Sequence, residues 1–231
     1  MPKISAPSAS LTQSAYEGLR TQLVSGALRP GAKLKISDLC QSLSANMSAV
    51  REALARLTSE GLVVAEPQRG FSVAPITADD LRHLTEVRVP LEEMCIRRSI
   101  ALGDIDWEAA IVAALHGLLR TERYDETGKV RAEWAEAHNR LHKALVAACD
   151  NPWMLRLREN LATQGDRYRW VSVAASGLKR DLDGEHRRLA DAFLSRDADL
   201  AVALMTDHIH QTTEVLLNEG LADIEGDLQP A

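Results

Sequence analysis

The sequence predicts a mainly α protein, with an N-terminal winged helix-turn-helix followed by a C-terminal all-α antiparallel helical bundle. Three observations predict it. Residues 14–75 read in the order helix, helix, turn, helix, hairpin. Beyond Pro75, helical spacing recurs in six stretches with no convincing strand, and a bundle is the natural way to bury six amphipathic faces. The charge also changes sign at that boundary. Residues 1–75 carry eight Lys/Arg against five acids, a net of +3, while the rest of the chain carries nineteen against twenty-eight, a net of −9.

Residues 1–13, rich in Ser, Ala and Pro at their start, read as a flexible arm. The first helix is expected from Ser14 to Ser25, where Tyr16, Leu19, Leu23 and Val24 fall at three- and four-residue spacing. Gly26 stops it, and Arg29-Pro30-Gly31 makes a turn. A short helix follows from Ser37 to Leu43, with Ser37 as its cap. Asn46 caps the next, Met47 to Glu60, whose inner face is Val50, Ala53, Leu54 and Leu57 and which ends at Gly61. Leu62–Ala65 and Phe71–Ala74 flank Glu66-Pro67-Gln68-Arg69-Gly70 as a hairpin.

Residues 76–220 form the predicted bundle, and 221–231 a tail. Its helices are expected at about 78–102, 107–122, 130–149, 152–169, 182–195 and 198–219. Pro90 should kink or divide the first, and Asn151-Pro152 and Asp197 give clear starts to the fourth and sixth.

Composition excludes several classes of function. Hydrophobic residues are 45% and charged ones 26%, a globular balance. No apolar run approaches the ~20 residues that span a bilayer, so no membrane partner is expected. The N-terminus does not read as a signal peptide. Cys40, Cys95 and Cys149 are odd in number and far apart, which fits core packing in a reducing cytoplasm rather than a disulfide scaffold.

In a helix-turn-helix, the N-terminal end of the second helix enters the major groove. Here that end is Met47-Ser48-Ala49-Val50-Arg51. Ser48 and Ala49 permit close approach, and Arg51 can grip phosphate or a guanine edge. Lys35 and Ser37 are placed to hold phosphate, and Gln68, Arg69 and Gly70 at the hairpin tip suit a narrow groove. The alternative for Arg51 is a surface ion pair with Glu52 or Asp38, and the alternative for the domain is a small α+β scaffold.

Several motifs occur together in one order: Arg29-Pro30-Gly31 with Leu34, Leu39 and Leu43; Val50-Arg51-Glu52-Ala53-Leu54 with Leu57; Glu60-Gly61-Leu62-Val63; and Gln68-Arg69-Gly70-Phe71. This stretch, 14–75, resembles the DNA-binding domain of the GntR family. A single winged domain buries too little surface for operator-level specificity, so a homodimer on an inverted-repeat operator in double-stranded DNA is expected. Many members of that family carry Arg where this chain has Met47, which shifts base readout toward apolar contact with thymine methyls.

The histidines form a second constellation. His138 and His142 are four apart and share a helical face. His186 and His208 lie on neighbouring predicted helices, so the four can converge on one metal ion, imidazole suiting Zn, Ni, Cu or Fe. A hydrogen-bonded core histidine is the alternative for each. His83, His116 and His210 read as surface residues. Glu86-x-Arg88-x-x-Leu91-Glu92, His138 to His142, and Glu185-His186 with Ala192, Arg196-Asp197-Ala198 and His208 resemble the effector domain of the FadR subfamily, called FCD. That resemblance implies a core divalent ion, often zinc or nickel, held by an acid and three histidines. His142, His186 and His208 match the three, and His138 stands at the acid's position.

The expected effector is a small carboxylate-bearing metabolite at the metal, clamped by Arg88 or, second, by Arg169. The alternative for Arg88 is an i, i+4 pair with Glu92. The function that follows is a DNA-binding transcription regulator, with repression the expected sign, controlled by that effector. A metal-dependent hydrolase is the opposed reading. Glu185 is its only evident base, it projects about 100° away from His186 on a helix, and no HExxH, GxSxG or phosphate-binding glycine loop is present. A DNA-binding adaptor with a purely structural bundle is a third.

Overall fold

The computed structural model describes residues 8–128, 130–171 and 180–220. The expected tail and the first seven residues of the expected arm lie outside them. The chain divides into two compact units, the first being residues to Thr77 together with Thr163–Val171, and the second containing Ala78–Ala162 and the helices that follow.

In the first unit, α1 (Ser8–Val24), α2 (Ile36–Ser42) and α3 (Met47–Ser59) pack beside a sheet of β1 (Lys33–Leu34), β2 (Val63–Glu66) and β3 (Gly70–Val73) in the order β1-β3-β2. α1 starts six residues before the expected Ser14. Its first turns are held by tertiary contact, since Thr12 is buried and its hydroxyl donates to Glu52 at 3.4 Å. Ala15, Leu19 and Leu23 of α1 meet Val50, Ala53, Leu54 and Leu57 of α3 in one apolar cluster.

Asn46 caps α3 as expected, accepting from the Ala49 amide at 2.9 Å. Ser37 is not the cap of α2. Lys35 holds that position without a side-chain cap, and the Ser37 hydroxyl donates to Asp38 at 2.9 Å instead. β2 and β3 pair Val63 with Val73 and Glu66 with Gly70. Gln68 and Gly70 turn the hairpin at φ 65° and 93°, and only at Gly70 is that region free of steric cost. β1 pairs with the outer edge of β3 through Lys33 and Leu34.

The second unit contains α4 (Ala78–Leu102), α5 (Ile105–Leu119), α6 (Ala132–Leu145), α7 (Pro152–Val171, to residue 162), α8 (Leu182–Leu194) and α9 (Ala198–Val215). Pro90 does not divide α4, which runs through it for 25 residues. Burial of Glu92, Cys95, Ile96, Ser99 and Ile100 beyond the proline holds the helix together despite the lost amide. Asp104, Asp181 and Asp197 cap α5, α8 and α9, and Asn151 caps α7. α9 ends at Val215, and one π-turn, Leu216–Gly220, follows it. Ile96, Trp107, Ile111, Leu141, Leu145, Leu189, Phe193 and Met205 form the core. No helix of the described residues is long and apolar enough to cross a membrane.

Candidate functional site

Two groups of side chains stand out, one exposed and one buried. On the first unit, Lys35, Ser37, Met47, Ser48, Arg51, Gln68, Arg69 and Gly70 are all exposed. Met47 is 57% exposed at the first position of α3. Ala49 differs from the expected set. It is 4% exposed and belongs to the inner face of α3, so its side chain is not offered to a groove. Arg51 forms neither of the ion pairs open to it; Glu52 accepts from Thr12 and Asp38 from Ser37. Arg69 stands 81% exposed, 3.7 Å from Glu66.

The second unit gathers the four histidines. His138 and His142 are one turn apart on α6, His186 lies in the first turns of α8, and His208 is mid-way along α9. All four are buried, and one ring nitrogen from each lies within 4.8 Å of the others. The Nε2 atoms of His138 and His142 are 3.1 Å apart. Tetrahedral zinc at about 2.0–2.1 Å from nitrogen sets its ligands about 3.4 Å apart, so this pair already has the spacing of two ligands. Burial, then the charge of His138 and the other two imidazoles, pushes His142 well below the usual imidazole range. Burial and then His208 pull His186 down to about 3. Both His186 nitrogens are buried without a hydrogen bond of good geometry, the Leu182 carbonyl one turn back being their near neighbour. Four imidazoles converging in a buried site, with both His186 nitrogens lacking a hydrogen bond, suit a borderline divalent cation.

The surrounding side chains orient this set. His208 Nδ1 donates to Glu185 at 3.0 Å, so a carboxylate orients this ring as it usually does in metal-ligating imidazoles. Burial alone would raise Glu185, but hydrogen bonds from His208 and Arg180 outweigh it and hold the carboxyl at about 2. Arg180 binds Glu185 at 2.6 and 2.7 Å, and the Thr212 hydroxyl at 2.9 Å. On α7, Arg158 donates to the His142 carbonyl at 2.9 Å and to Glu92 at 2.7 Å, both side chains being almost fully buried. Arg88 lies 3.7 Å from the other Glu92 oxygen, so the i, i+4 pair does form, yet its buried Nε makes no hydrogen bond. Arg169 pairs with Asp166 and belongs to the first unit.

Sequence spacing did not find Arg158, Arg180 or Trp134. Trp134 stacks on His138, with ring centroids 5.0 Å apart. Its signal was present, four residues before His138 on the same face, but a tryptophan there reads as ordinary core. His83, His116 and His210 are exposed, and Cys95 and Cys149 are buried, as expected.

Residues 11–73 match the family profile "Bacterial regulatory proteins, gntR family", and residues 83–211 match the FCD domain. The chain is 34% identical over 92% of its length, and 87% of the relative's, to an uncharacterised HTH-type transcriptional regulator, BphR, of Paraburkholderia xenovorans. It is 32% identical to the HTH-type transcriptional repressor GlaR of Escherichia coli, over 84% of this chain and 90% of that one. Among solved structures, E. coli McbR/YncC superposes with a TM-score of 0.76 at 22% identity, covering 89% of this chain and 96% of that chain. A GntR regulator from Rhodococcus sp. RHA1 gives 0.72 at 24%, covering 90% and 98%; both share the fold. The profiles and relatives are those of regulators rather than enzymes. With an HTH unit followed by an FCD domain, this chain belongs to the gntR family of bacterial regulatory proteins and is a DNA-binding transcriptional regulator.

Proposed function

We propose that the protein is a cytoplasmic, homodimeric repressor of an inverted-repeat operator, released or engaged by a small carboxylate bound at a metal site in its FCD domain. The convergence of four buried imidazoles at His138, His142, His186 and His208 carries the effector half of this reading. These residues would hold a Zn or Ni ion, which offers a carboxylate a Lewis-acidic partner when bound. Their neighbours do the rest. Glu185 fixes the His208 tautomer, and Arg158 ties α7 to the backbone of α6 behind His142. Arg88, with an unsatisfied buried Nε beside the Glu92–Arg158 pair, is the favoured clamp.

The exposed set on α2, α3 and the hairpin supports the DNA half, with Met47 and Arg51 reading bases, Lys35 and Ser37 on phosphate, and Gln68, Arg69 and Gly70 in the adjoining minor groove. A dimer is supported by large apolar side chains left in solvent. Val87 and Met94 on α4 and Trp153 and Leu157 on α7 are 52% to 69% exposed, as for a surface that a second copy covers.

Elemental analysis of protein purified without chelator tests the metal centre. One Zn or Ni per chain is expected, with a raised thermal midpoint on addition of either. No stoichiometric metal and no stabilisation would overturn it. Gel-shift titration of a selected inverted-repeat duplex, with and without a library of carboxylates, tests the regulatory claim.

A further inference from the structure

α5 is apolar on two sides. Trp107, Ile111 and Leu118 are its buried residues and belong to the core of the second unit. On its outer side Ile105 is 74% exposed and Val112 52%, and Ala109, Ala113 and His116 are exposed with them. These five positions fall at three- and four-residue spacing and make one stripe. Residues 109–119 include no Asp, Glu, Lys or Arg, in a chain that is 26% charged. An open groove of about 550 Å³ lies here, lined by Ile105, Glu108, Ala109, Val112, Ala113 and His116, with Leu194 of α8. A helix with apolar residues on its solvent side as well as its core side is built to be covered.

The two polar side chains of the groove point to its occupant. Glu108 and His116 stand four residues before and four residues after Val112. A two-fold axis through Val112, with two α5 helices antiparallel, brings Glu108 of each copy to His116 of the other. Both Arg196 contacts of Glu108 fall on Oε1, and among the described residues Oε2 accepts no hydrogen bond. Among the same residues the His116 ring makes none. Each group can therefore meet a partner of opposite character without giving up a bond it already has. Ala109 and Ala113, beside the axis, let the two helices approach closely. Self-complementarity of this kind is what an isologous contact requires, since one patch serves both partners.

We propose that the outer face of α5 is a two-fold contact with a second copy of this chain, Val112 on the axis and Glu108 against His116, which joins homodimers in pairs. α4, whose exposed Val87 and Met94 support the dimer above, packs on α9, whereas α5 packs on α6 and α8. The two faces are carried by different helices with different neighbours, so one chain can use both. The α5 contact stands apart from the dimer reading, and the pairing of dimers rests on it. A helix of this length is about 22 Å long, and a strip about 10 Å wide along it covers only about 200 Å² per copy. That is well under the ~800 Å² per partner of a stable interface, too little to hold two monomers. Two dimers can make the contact twice, and DNA that holds them near one another raises their effective concentration. The consequence is cooperative occupancy of two operators on one duplex.

Sedimentation velocity of the full-length protein over about 1–100 μM tests this, with a dimer–tetramer Kd on the order of 10 μM expected for wild type. Val112→Arg sets two guanidiniums face to face on the axis. It should stay dimeric throughout, with unchanged thermal midpoint and unchanged affinity for a single operator. His116→Glu sets carboxylate against carboxylate at both ends and should weaken pairing at least about tenfold, while His116→Lys keeps the opposite charge and should stay within about threefold of wild type. On a duplex carrying two copies of the selected inverted repeat, wild type should bind cooperatively and Val112→Arg independently. A wild type that stays dimeric at the highest concentration, or pairing that survives Val112→Arg, overturns the α5 contact and leaves the α4–α7 dimer standing. Pairing unaffected by His116→Glu overturns the antiparallel register. A monomeric Val112→Arg would make α5 the dimer contact itself and overturn the pairing of dimers. A wild type that is monomeric throughout overturns both readings.

Discussion

The two candidate sites of this chain are built in opposite ways. The side chains proposed to meet DNA sit on the outside of a core that does not include them, since Leu54 and Leu57 of α3 are wholly buried while Arg51 on the same helix is exposed and makes no ion pair among the described residues. The side chains of the proposed effector site are themselves the interior of the second unit. His186 has no exposed surface, and Glu92 and Arg158 are 1% and 3% exposed. Function and stability are therefore separable in the first unit and joined in the second. A substitution on the DNA face should change binding without changing folding, and one around the histidines should change both.

The sharpest way to break that contrast is at Glu92. It accepts from Arg158 and faces Arg88, so Glu92→Ala would leave two guanidiniums buried with no carboxylate between them. Loss of one partner of a buried pair typically costs about 3–5 kcal/mol. Thermal or urea unfolding of the metal-free variant should show a loss in that range. A loss under about 1 kcal/mol, the scale of an exposed pair, would mean that the second unit is not organised around this triad.

Metal comes next. A ligand that binds only the folded state at a hundred times its Kd stabilises by about 2.7 kcal/mol. Zinc or nickel at that excess should raise the midpoint accordingly, and His186→Ala should abolish the rise. Calorimetry that found the same shift in His186→Ala would place the ion elsewhere.

How much of this was legible in the sequence follows the same division. The helical order of the first unit could be read because its local signals agree, with Asn46 capping α3, Gly61 ending it and four apolar residues at helical spacing between them. β1 was missed because two residues, Lys33 and Leu34, are too few to show alternation, and only the edge of β3 makes them a strand. Ser37 has the residue type of a cap, yet the helix begins one residue before it and its hydroxyl turns to Asp38. In the second unit, the histidine spacing was visible because HxxxH is a local pattern. The groups that tune it were not. Arg158 reaches Glu92 across 66 positions, and His208 reaches Glu185 across 23, distances over which sequence carries no periodic signal. Buried ion pairs of this kind are set by packing, and a lone arginine on an amphipathic helix reads as surface.

On the DNA face, Arg51 should give the cleanest separation of binding from folding. It is exposed and forms no ion pair, so Arg51→Ala is expected to leave unfolding within about 0.5 kcal/mol of wild type. Operator affinity should fall by about 1–3 kcal/mol if Arg51 reads a guanine edge, and the loss should depend on the base pair it faces. Gel-shift titration at fixed salt with single-base operator variants checks both. A variant that bound DNA normally but unfolded early would invert the comparison between the two units.

Arg69 is the smallest effect expected and the finest probe of the contrast. Among the described residues its one ion pair is to Glu66, at 3.7 Å between two exposed side chains, a geometry worth little to stability. It stands at the hairpin tip between Gln68 and Gly70, both at positive φ, so the turn presents it outward and the backbone beside it is slim. A guanidinium placed in this way responds to the potential of a narrow minor groove rather than to a base edge. Arg69→Ala should therefore leave the fold intact, lower affinity for all sequences by less than Arg51→Ala does, and remove about one unit from the slope of log affinity against log salt. It should also flatten the preference for A·T-rich flanks over G·C-rich ones. Binding isotherms across a salt series on two duplexes that differ only in those flanks read all three quantities. An unchanged salt slope would mean that the hairpin tip does not touch DNA, and the DNA face would then be confined to α2 and α3.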